Sequence, residues 1–336
     1  MSANQRREAI DGFLFLLPNF LGFLIFFAVP LVVSFYYSFT DYNLFQKPNF
    51  IGLQNYITAL GFNIDTQAYQ AALAQGDSFF VALKELIVAK DPTFWIAIGN
   101  TFKYAIGVLL LCVMPGFFLA WLLNSKLRGM TVYRGMFYIP VVASIVGAAL
   151  VWFWIYNRDS GILNTALASL ANGLTNITQY LGFEVPEPII GWLVDSNYSL
   201  ISLIILTSWA TIGYDMVIFL AALQGIPRYL FEAATVDGAS RMYSLFKITI
   251  PMMSATIFFV LVTNTIAVLQ IFSEPYIMTQ GGPANSTLTI VYYLYQKGFQ
   301  RFQMGYGASL AWIVFALIFI ITTLQFRLAN RWVYEE

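Results

Sequence analysis

The chain has 336 residues with 17 basic and 17 acidic side chains, so net charge is zero and nothing points to nucleic acid or a strongly acidic partner. It is 59% hydrophobic and only 10% charged, with mean hydropathy +0.70, where a soluble domain carries roughly 25% charged residues. That shortfall places it in the membrane class. There is no His and one Cys, Cys112, inside an apolar run, which removes His-based catalysis, zinc sites and disulfides within the chain.

A helix needs about 20 apolar residues to cross the hydrocarbon core, and six stretches qualify. They run from Phe13 to about Thr40, from about Ile98 to Leu123, from Gly135 to Asn157, from about Ser196 to Leu223, from Ile248 to Ser273 and from Phe302 to Phe326. The runs are continuous and not alternating, so helices are expected and a β-barrel is not. The fold class expected is all-α: a polytopic membrane protein with six transmembrane helices. The first run is far longer than the apolar core of a signal peptide and no small-residue cleavage site follows, so it is expected to stay as an anchor.

Basic residues set the orientation. With the N-terminus inside, the inner segments hold Arg6, Arg7, Lys126, Arg128, Arg134, Arg228, Arg241, Lys247, Arg327 and Arg331. The longer outer loops hold only Lys47, Lys84, Lys90, Arg158, Lys297 and Arg301. Residues 1–12 and 327–336 are therefore read as cytoplasmic, and 13–326 as the membrane domain. Its outer loops are 41–97, 158–195 and 274–301, and its main inner loop is 224–251. Within the first outer loop, Gln67 to Lys90 reads as helix-like. The second ends in a Pro-Glu-Pro stretch at 186–188. Lys103 sits near the outer end of the second run and can snorkel. Glu274 is expected at the outer mouth.

The inner loop 224–251 is the most informative segment. Pro227 opens a helix well, because its missing N–H costs nothing in a first turn. Arg228 to Val236 are good helix formers, and Gly238 can take φ > 0 and stop them. A second amphipathic piece, Ala239 to Ile248, leads to Pro251. Ala233 and Ala234 let another backbone approach closely, and Glu232 supplies one charge. The pattern fits a knob for a cleft, or a plain surface helix-turn-helix.

Glu232-Ala233-Ala234, then Gly238, Ile248 and Pro251, stand in the register of the signature loop of membrane subunits of ATP-binding-cassette importers. Ile250 departs from the usual Leu, conservatively. Phe50-Ile51-Gly52-Leu53-Gln54-Asn55-Tyr56, Asn100-Thr101, Tyr138-Ile139-Pro140, Asp237-Gly238-Ala239 and Met278-Thr279-Gln280-Gly281-Gly282-Pro283 resemble the sugar-permease branch, of the maltose-permease-F or glycerol-phosphate-permease-A type. The segment from about Gly61 to Asp91 resembles an insertion.

The resemblance implies a permease subunit of a binding-protein-dependent importer of a sugar or sugar derivative, in a bacterial inner membrane. Loop 224–251 would be its coupling helix, with Glu232, Ala233, Ala234, Asp237 and Gly238 docking a separate ATPase. Implied partners are a second permease in a heterodimer, two ATPase subunits, an extracytoplasmic solute-binding protein and membrane lipid. The chain holds no Gly-x-x-x-x-Gly-Lys-Ser/Thr loop, so ATP and Mg are expected on the partner and no cofactor on this chain. No catalytic residue set stands out, and the chain is read as a non-enzyme.

Asp215 lies inside the fourth run, where a carboxyl costs about 2.5–3.5 kcal/mol to insert. Such groups face a wet cavity or a partner. Asp215 is read as an acceptor for sugar hydroxyls, as a contact to a neighbouring helix or subunit, or as a proton relay. The relay belongs to an alternative function, a secondary transporter driven by an ion gradient. Trp209 and Tyr214 suit stacking on sugar rings or packing against lipid, Gly213 thins the helix for a solute to approach, and Asn264 and Gln270 add polar groups on the fifth run. By resemblance Trp209, Ile212, Gly213 and Asn264 fall near lining positions.

Overall fold

The first apolar run folds as the helix Ala3–Phe23, a wide π turn Leu24–Ala28 and the helix Val29–Tyr37. The wide turn comes just before Pro30, whose missing N–H cannot close a regular helical bond. A computed structural model describes residues 3–75, 78–79, 86–125, 128–178 and 189–334. The chain divides into two compact units, Met1–Pro92 with Leu294–Phe315, and Thr93–Tyr293 with Ala316–Glu336.

Among the described residues, four helices are each long and apolar enough to cross a membrane: Asn4–Tyr37, Pro92–Leu123, Ser199–Gly225 and Met304–Ala329. Six spans result if each of two bent helix pairs is one span. The bends correct the third and fifth runs, which read as continuous helices in sequence. The third is Met130–Val142 plus Ile145–Ile155, bent by 100°. Ala143 (ψ 142°) and Ser144 (ψ 131°) are extended there, three residues after Pro140, whose ring weakens the turn before it. The fifth is Arg241–Met252 plus Ser254–Leu269, bent by 65° just after Pro251.

In the first unit, span one ends against Asn55. The Asn55 amide donates to the carbonyls of Ser38 and Thr40, both at 2.9 Å, and Tyr56 Oη bonds Ser38 Oγ at 2.8 Å. These carbonyls end a helix and would otherwise go unpaired. Asn55 sits on the helix Gln54–Leu60, so the Asn-Tyr pair staples the loop back onto the span. The loop itself is closed by Asp41, whose carboxylate accepts from the Asn49 N–H at 2.8 Å and its side-chain amide at 3.1 Å. Those two bonds hold the Asp41 carboxyl below the usual carboxylate range.

Of the helix-like segment Gln67 to Lys90, the start is the helix Thr66–Ala74, where Asp65 caps the first turn by accepting from the N–H groups of Gln67 and Ala68, while the end is not helical. Residues 76–77 and 80–85, Lys84 among them, lie outside the described residues, as do Lys126 and the Pro-Glu-Pro stretch. Ile87–Ala89 is a strand paired antiparallel with Phe62–Ile64. Ile87 and Val88 are stiff, β-branched residues that fit a pleated backbone better than a helix. The pair closes the base of the insertion as a hairpin stem.

The second unit is built on Ser199–Gly225, the most buried of the four spans. Tyr104 of span two bonds Thr207 at 2.6 Å, and Tyr156 Oη bonds the Ser202 carbonyl at 2.8 Å. Asn100 donates to the carbonyls of Asn285 and Leu288, while Thr101 Oγ1 accepts from the Ile290 N–H at 2.9 Å. The Asn-Thr pair thus pins the loop that follows Gly281-Gly282-Pro283. Span six closes on span five through Gln325 to Thr265 at 2.9 Å, and the Tyr334 N–H bonds Ser254 Oγ at 2.8 Å.

Candidate functional site

Loop 224–251 forms two short helices with a bend. The first, Arg228–Val236, follows Pro227, which serves as its cap with ψ 130° and not as its first helical residue. Its stop is built by backbone alone. Gly238 has φ 76°, its N–H bonds the Thr235 carbonyl at 3.1 Å, and the Ala239 N–H bonds the Ala234 carbonyl at 2.9 Å. This pair of crossed bonds is a Schellman motif, which needs a left-handed residue at the Gly238 position. Ser240 Oγ then accepts from the Tyr243 N–H and starts the next helix, Arg241–Ser244. That helix continues through a π turn to Met252, so the second piece is longer than the Ala239–Ile248 read in sequence.

The short helix has two faces. Leu230 and Phe231 pack inward on a core of Leu223, Ile226, Met216 and Phe219. Tyr229, Glu232, Ala233 and Val236 recur at helical spacing on the opposite side and are exposed, with Val236 at 88% and Tyr229 at 65%. Ala234 is half-buried, and Asp237 and Gly238 are exposed. An exposed face of one acid, one small residue and two apolar side chains suits a docking surface better than a solvated one.

Inside the membrane unit, Asp215 is fully buried at 0% exposure. Its Oδ1 accepts from Asn264 Nδ2 at 2.9 Å, and its Oδ2 has no hydrogen-bond partner. Cys112 Sγ lies 3.0 Å from Thr211 Oγ1 on the same side of span four. A Cβ on Gly116 would come within 3.0 Å of the Asp215 Cβ, so a small residue on span two makes room for the carboxyl. Asp215 is thus sealed in this conformation and bonded to span five.

Gly213 corrects the reading of a thinned, solute-accessible helix. A Cβ there would sit 2.0 Å from the Phe137 carbonyl oxygen. The missing side chain is used for the close approach of span three. Trp209 is 42% exposed, rests edge-on against Trp152 at 5.6 Å, and with Ile212 lines an apolar cavity of about 530 Å³ shared with Tyr133, Phe137 and Pro140. Tyr214 is exposed, and Gln270 is exposed at the end of span five. Helical spacing puts Trp209 and Ile212 on one face, and they share one cavity; the bond between Asp215 and Asn264 is not given by spacing, and Gln270 joins neither.

Glu274 is likewise not at an open mouth. It is buried, and its Oε1 accepts from Thr207, which is bonded in turn by Tyr104. Sequence reasoning missed this Tyr-Thr-Glu chain, because its members are more than 60 residues apart in each step. The one available signal was Thr207 beside Ser208 in an otherwise apolar span.

Residues 113–334 match the family described as binding-protein-dependent transport system inner membrane component. The chain belongs to that family. It is 32% identical over 338 residues to the probable ABC transporter permease protein YesP of Bacillus subtilis, covering 100% of this chain and 95% of YesP. It is 36% identical over 246 residues to the lactose transport system permease protein LacF of Rhizobium radiobacter, covering 72% and 78%. In fold it matches a chain from the crystal structure of a bacterial ABC transporter involved in the import of the acidic polysaccharide alginate, with TM-score 0.70 at 20% identity over 98% of both chains. The all-α polytopic fold and a transport role in the inner membrane stand on these matches. They leave the ion-gradient alternative through Asp215 without support.

Proposed function

We propose that this chain is one half of the translocation pathway of an ATP-driven importer for a sugar or sugar derivative. LacF, a lactose permease over 72% of the chain, supports the cargo class, and the family description supports delivery by a solute-binding protein. The second half is a similar permease, two ATPase subunits carry ATP and Mg, and this chain binds neither. Both termini lie in the cytoplasm, on the side of the basic segments, with the binding protein on the other face.

The observation that carries the reading is the outward face of Arg228–Val236, ended by Gly238. Glu232, Ala233 and Ala234 enter a groove on the ATPase, with Asp237 and Gly238 at the tip. When the ATPases close on ATP, a knob anchored by Leu230 and Phe231 to the core moves spans four and five with it. Trp209, Ile212 and Tyr214 lie along the solute path with Gln270 at its end. Gly213, Asp215 and Asn264 shape that path by setting helix contacts.

The test is uptake into liposomes holding the four-part importer, with ATP inside and loaded binding protein outside. Ala233→Trp should leave the permease assembled in the membrane and abolish uptake, with residual ATP hydrolysis no longer stimulated by the binding protein. Wild-type uptake by Ala233→Trp would sink the docking role.

A further inference from the structure

A cavity of about 530 Å³ lies within the first unit, between the segment that follows span one and the segment that leads into span six. Asp41, Asn43, Lys90, Asp91, Lys297 and Gln303 line it, and among the described residues Ile51 is the one lining residue whose side chain has no hydrogen-bonding group. Its volume is in the range of small-molecule sites, about 300–1,000 Å³, but such sites are mostly apolar with a few polar groups. This wall has the reverse composition, so an apolar ligand would strand its polar groups at a cost.

The wall is set by bonds of its own. Asn49 holds the Asp41 carboxylate through two of them, at 2.8 and 3.1 Å, and Tyr306 Oη donates to Asp91 Oδ2. Lys297 Nζ lies 5.4 Å from the centroid of the Tyr306 ring, a cation–π contact. Gly305, in the first turn of span six, brings the two segments together. Its N–H donates to the Tyr42 carbonyl at 2.9 Å, and a Cβ there would sit 2.0 Å from the Thr40 carbonyl oxygen. A wall fixed in this way loses little freedom when a ligand binds.

Two acids and two lysines line the cavity, so their formal charges cancel. A net anion or cation would meet as much repulsion as attraction. Carboxylates accept, ammonium groups donate, and amides do both. A ligand that satisfies all three needs uncharged groups that donate and accept at one atom, several times over. Sugar hydroxyls have that chemistry. We propose that this cavity is a binding site for a small neutral saccharide. It shares no lining residue with the Trp209 cavity. The carboxylates of Asp41 and Asp91 accept from the hydroxyls, while Lys90 Nζ and the Gln303 amide donate to them. The choice of a sugar over another polyol rests on the cargo class proposed above. The site gives the permease a saccharide contact of its own, separate from the binding protein.

The test is photo-crosslinking on the intact, detergent-solubilised importer without its binding protein. Diazirine-bearing lactose, maltose, cellobiose and sucrose are used in turn, and labelled peptides are mapped by mass spectrometry. At least one probe should label segments 41–58, 90–91 or 297–306, and the same unlabelled sugar should compete. Gln303→Leu should weaken binding roughly five-fold, the worth of one neutral hydrogen bond. Asp91→Asn, which removes a charged acceptor, should weaken it by roughly tenfold or more. No label in these segments from any probe overturns the proposal, as does label that unlabelled sugar does not compete. Unchanged binding in both assembled variants also overturns it. So does equal competition by glycine, since the balanced wall would then be reading a zwitterion. Should Asp91→Asn fail to assemble, the wild-type map and Gln303→Leu decide. Sugar uptake by an importer whose cavity takes no label overturns this site alone. Competed label in the cavity of an importer that takes up no sugar supports the site and counts against the proposed cargo.

Discussion

Asp215 and Asn264 are bonded at 2.9 Å across spans four and five, the two helices that leave opposite ends of the coupling loop. Asp215 stands ten residues before Gly225, and Asn264 stands thirteen after Pro251. The bond therefore closes a loop of chain whose far end is the Arg228–Val236 helix. If that helix docks the ATPase as proposed, a displacement at Glu232 would enter both spans at once, and the clasp would keep them from splaying apart.

That geometry separates a clasp from a solute contact. Asn264→Leu leaves the buried carboxyl without its donor and should destabilise the chain by about 1–3 kcal/mol, seen as a lower unfolding temperature in detergent. Asp215→Leu combined with Asn264→Leu removes both polar groups and should recover part of that loss. Normal uptake by a stable double variant would show that neither side chain has to touch the cargo.

Gly238 has open space around it: nothing lies within 4 Å of a Cβ placed there. Its requirement is conformational, since φ is 76°. Gly238→Asn should therefore be tolerated, while Gly238→Val pays about 1–2 kcal/mol for a left-handed β-branched residue or lets the helix run on. Uptake should survive the first and fail in the second, with ATPase activity uncoupled from the binding protein. Equal uptake in both would refute the stop.

Gly213 has the opposite environment. A Cβ would meet the Phe137 carbonyl at 2.0 Å, and backbone cannot swing aside as a side chain can. Gly213→Ala should cost about 1–3 kcal/mol by overpacking, and Gly213→Val more. The check is assembled complex per unit of membrane protein. A normal yield of Gly213→Val would show that spans three and four do not need this contact.

The loop between Asp41 and Asn49 should respond to acid. Its two bonds hold the Asp41 carboxyl below its ordinary range. The stabilisation is then present above the ordinary carboxylate value of about 4 and is lost as pH falls through the lower folded value. Hydrogen exchange at the Asn49 amide, compared at matched intrinsic rates, should speed up on acidification in wild type. Asp41→Asn should be fast at every pH tested. A wild-type amide indifferent to pH would remove Asp41 as the tie.

How much of this is legible in sequence depends on range. Pro227 and Gly238 declare the short helix Arg228–Val236 and its stop, because caps and stops act over four residues. Long apolar runs declare the spans for the same reason. The bends after Pro140 and Pro251 are half-legible: proline marks the weak turn, but neighbouring helices choose whether it breaks. The hairpin stem of Phe62–Ile64 with Ile87–Ala89 is not legible, since its partners are separated by the whole insertion. Nor are the Asp215–Asn264 and Thr207–Glu274 pairings. An intramembrane carboxyl announces that it needs a partner without saying which helix supplies it.

The Schellman stop separates two properties of the knob that a side-chain stop would mix. Its length is fixed by one backbone torsion at Gly238, while its surface is written in Tyr229, Glu232, Ala233 and Val236. On the proposed docking role, changing the surface would retune which ATPase is accepted without altering how far the knob reaches. A permease built this way could exchange motors in evolution while its lever arm stayed the same.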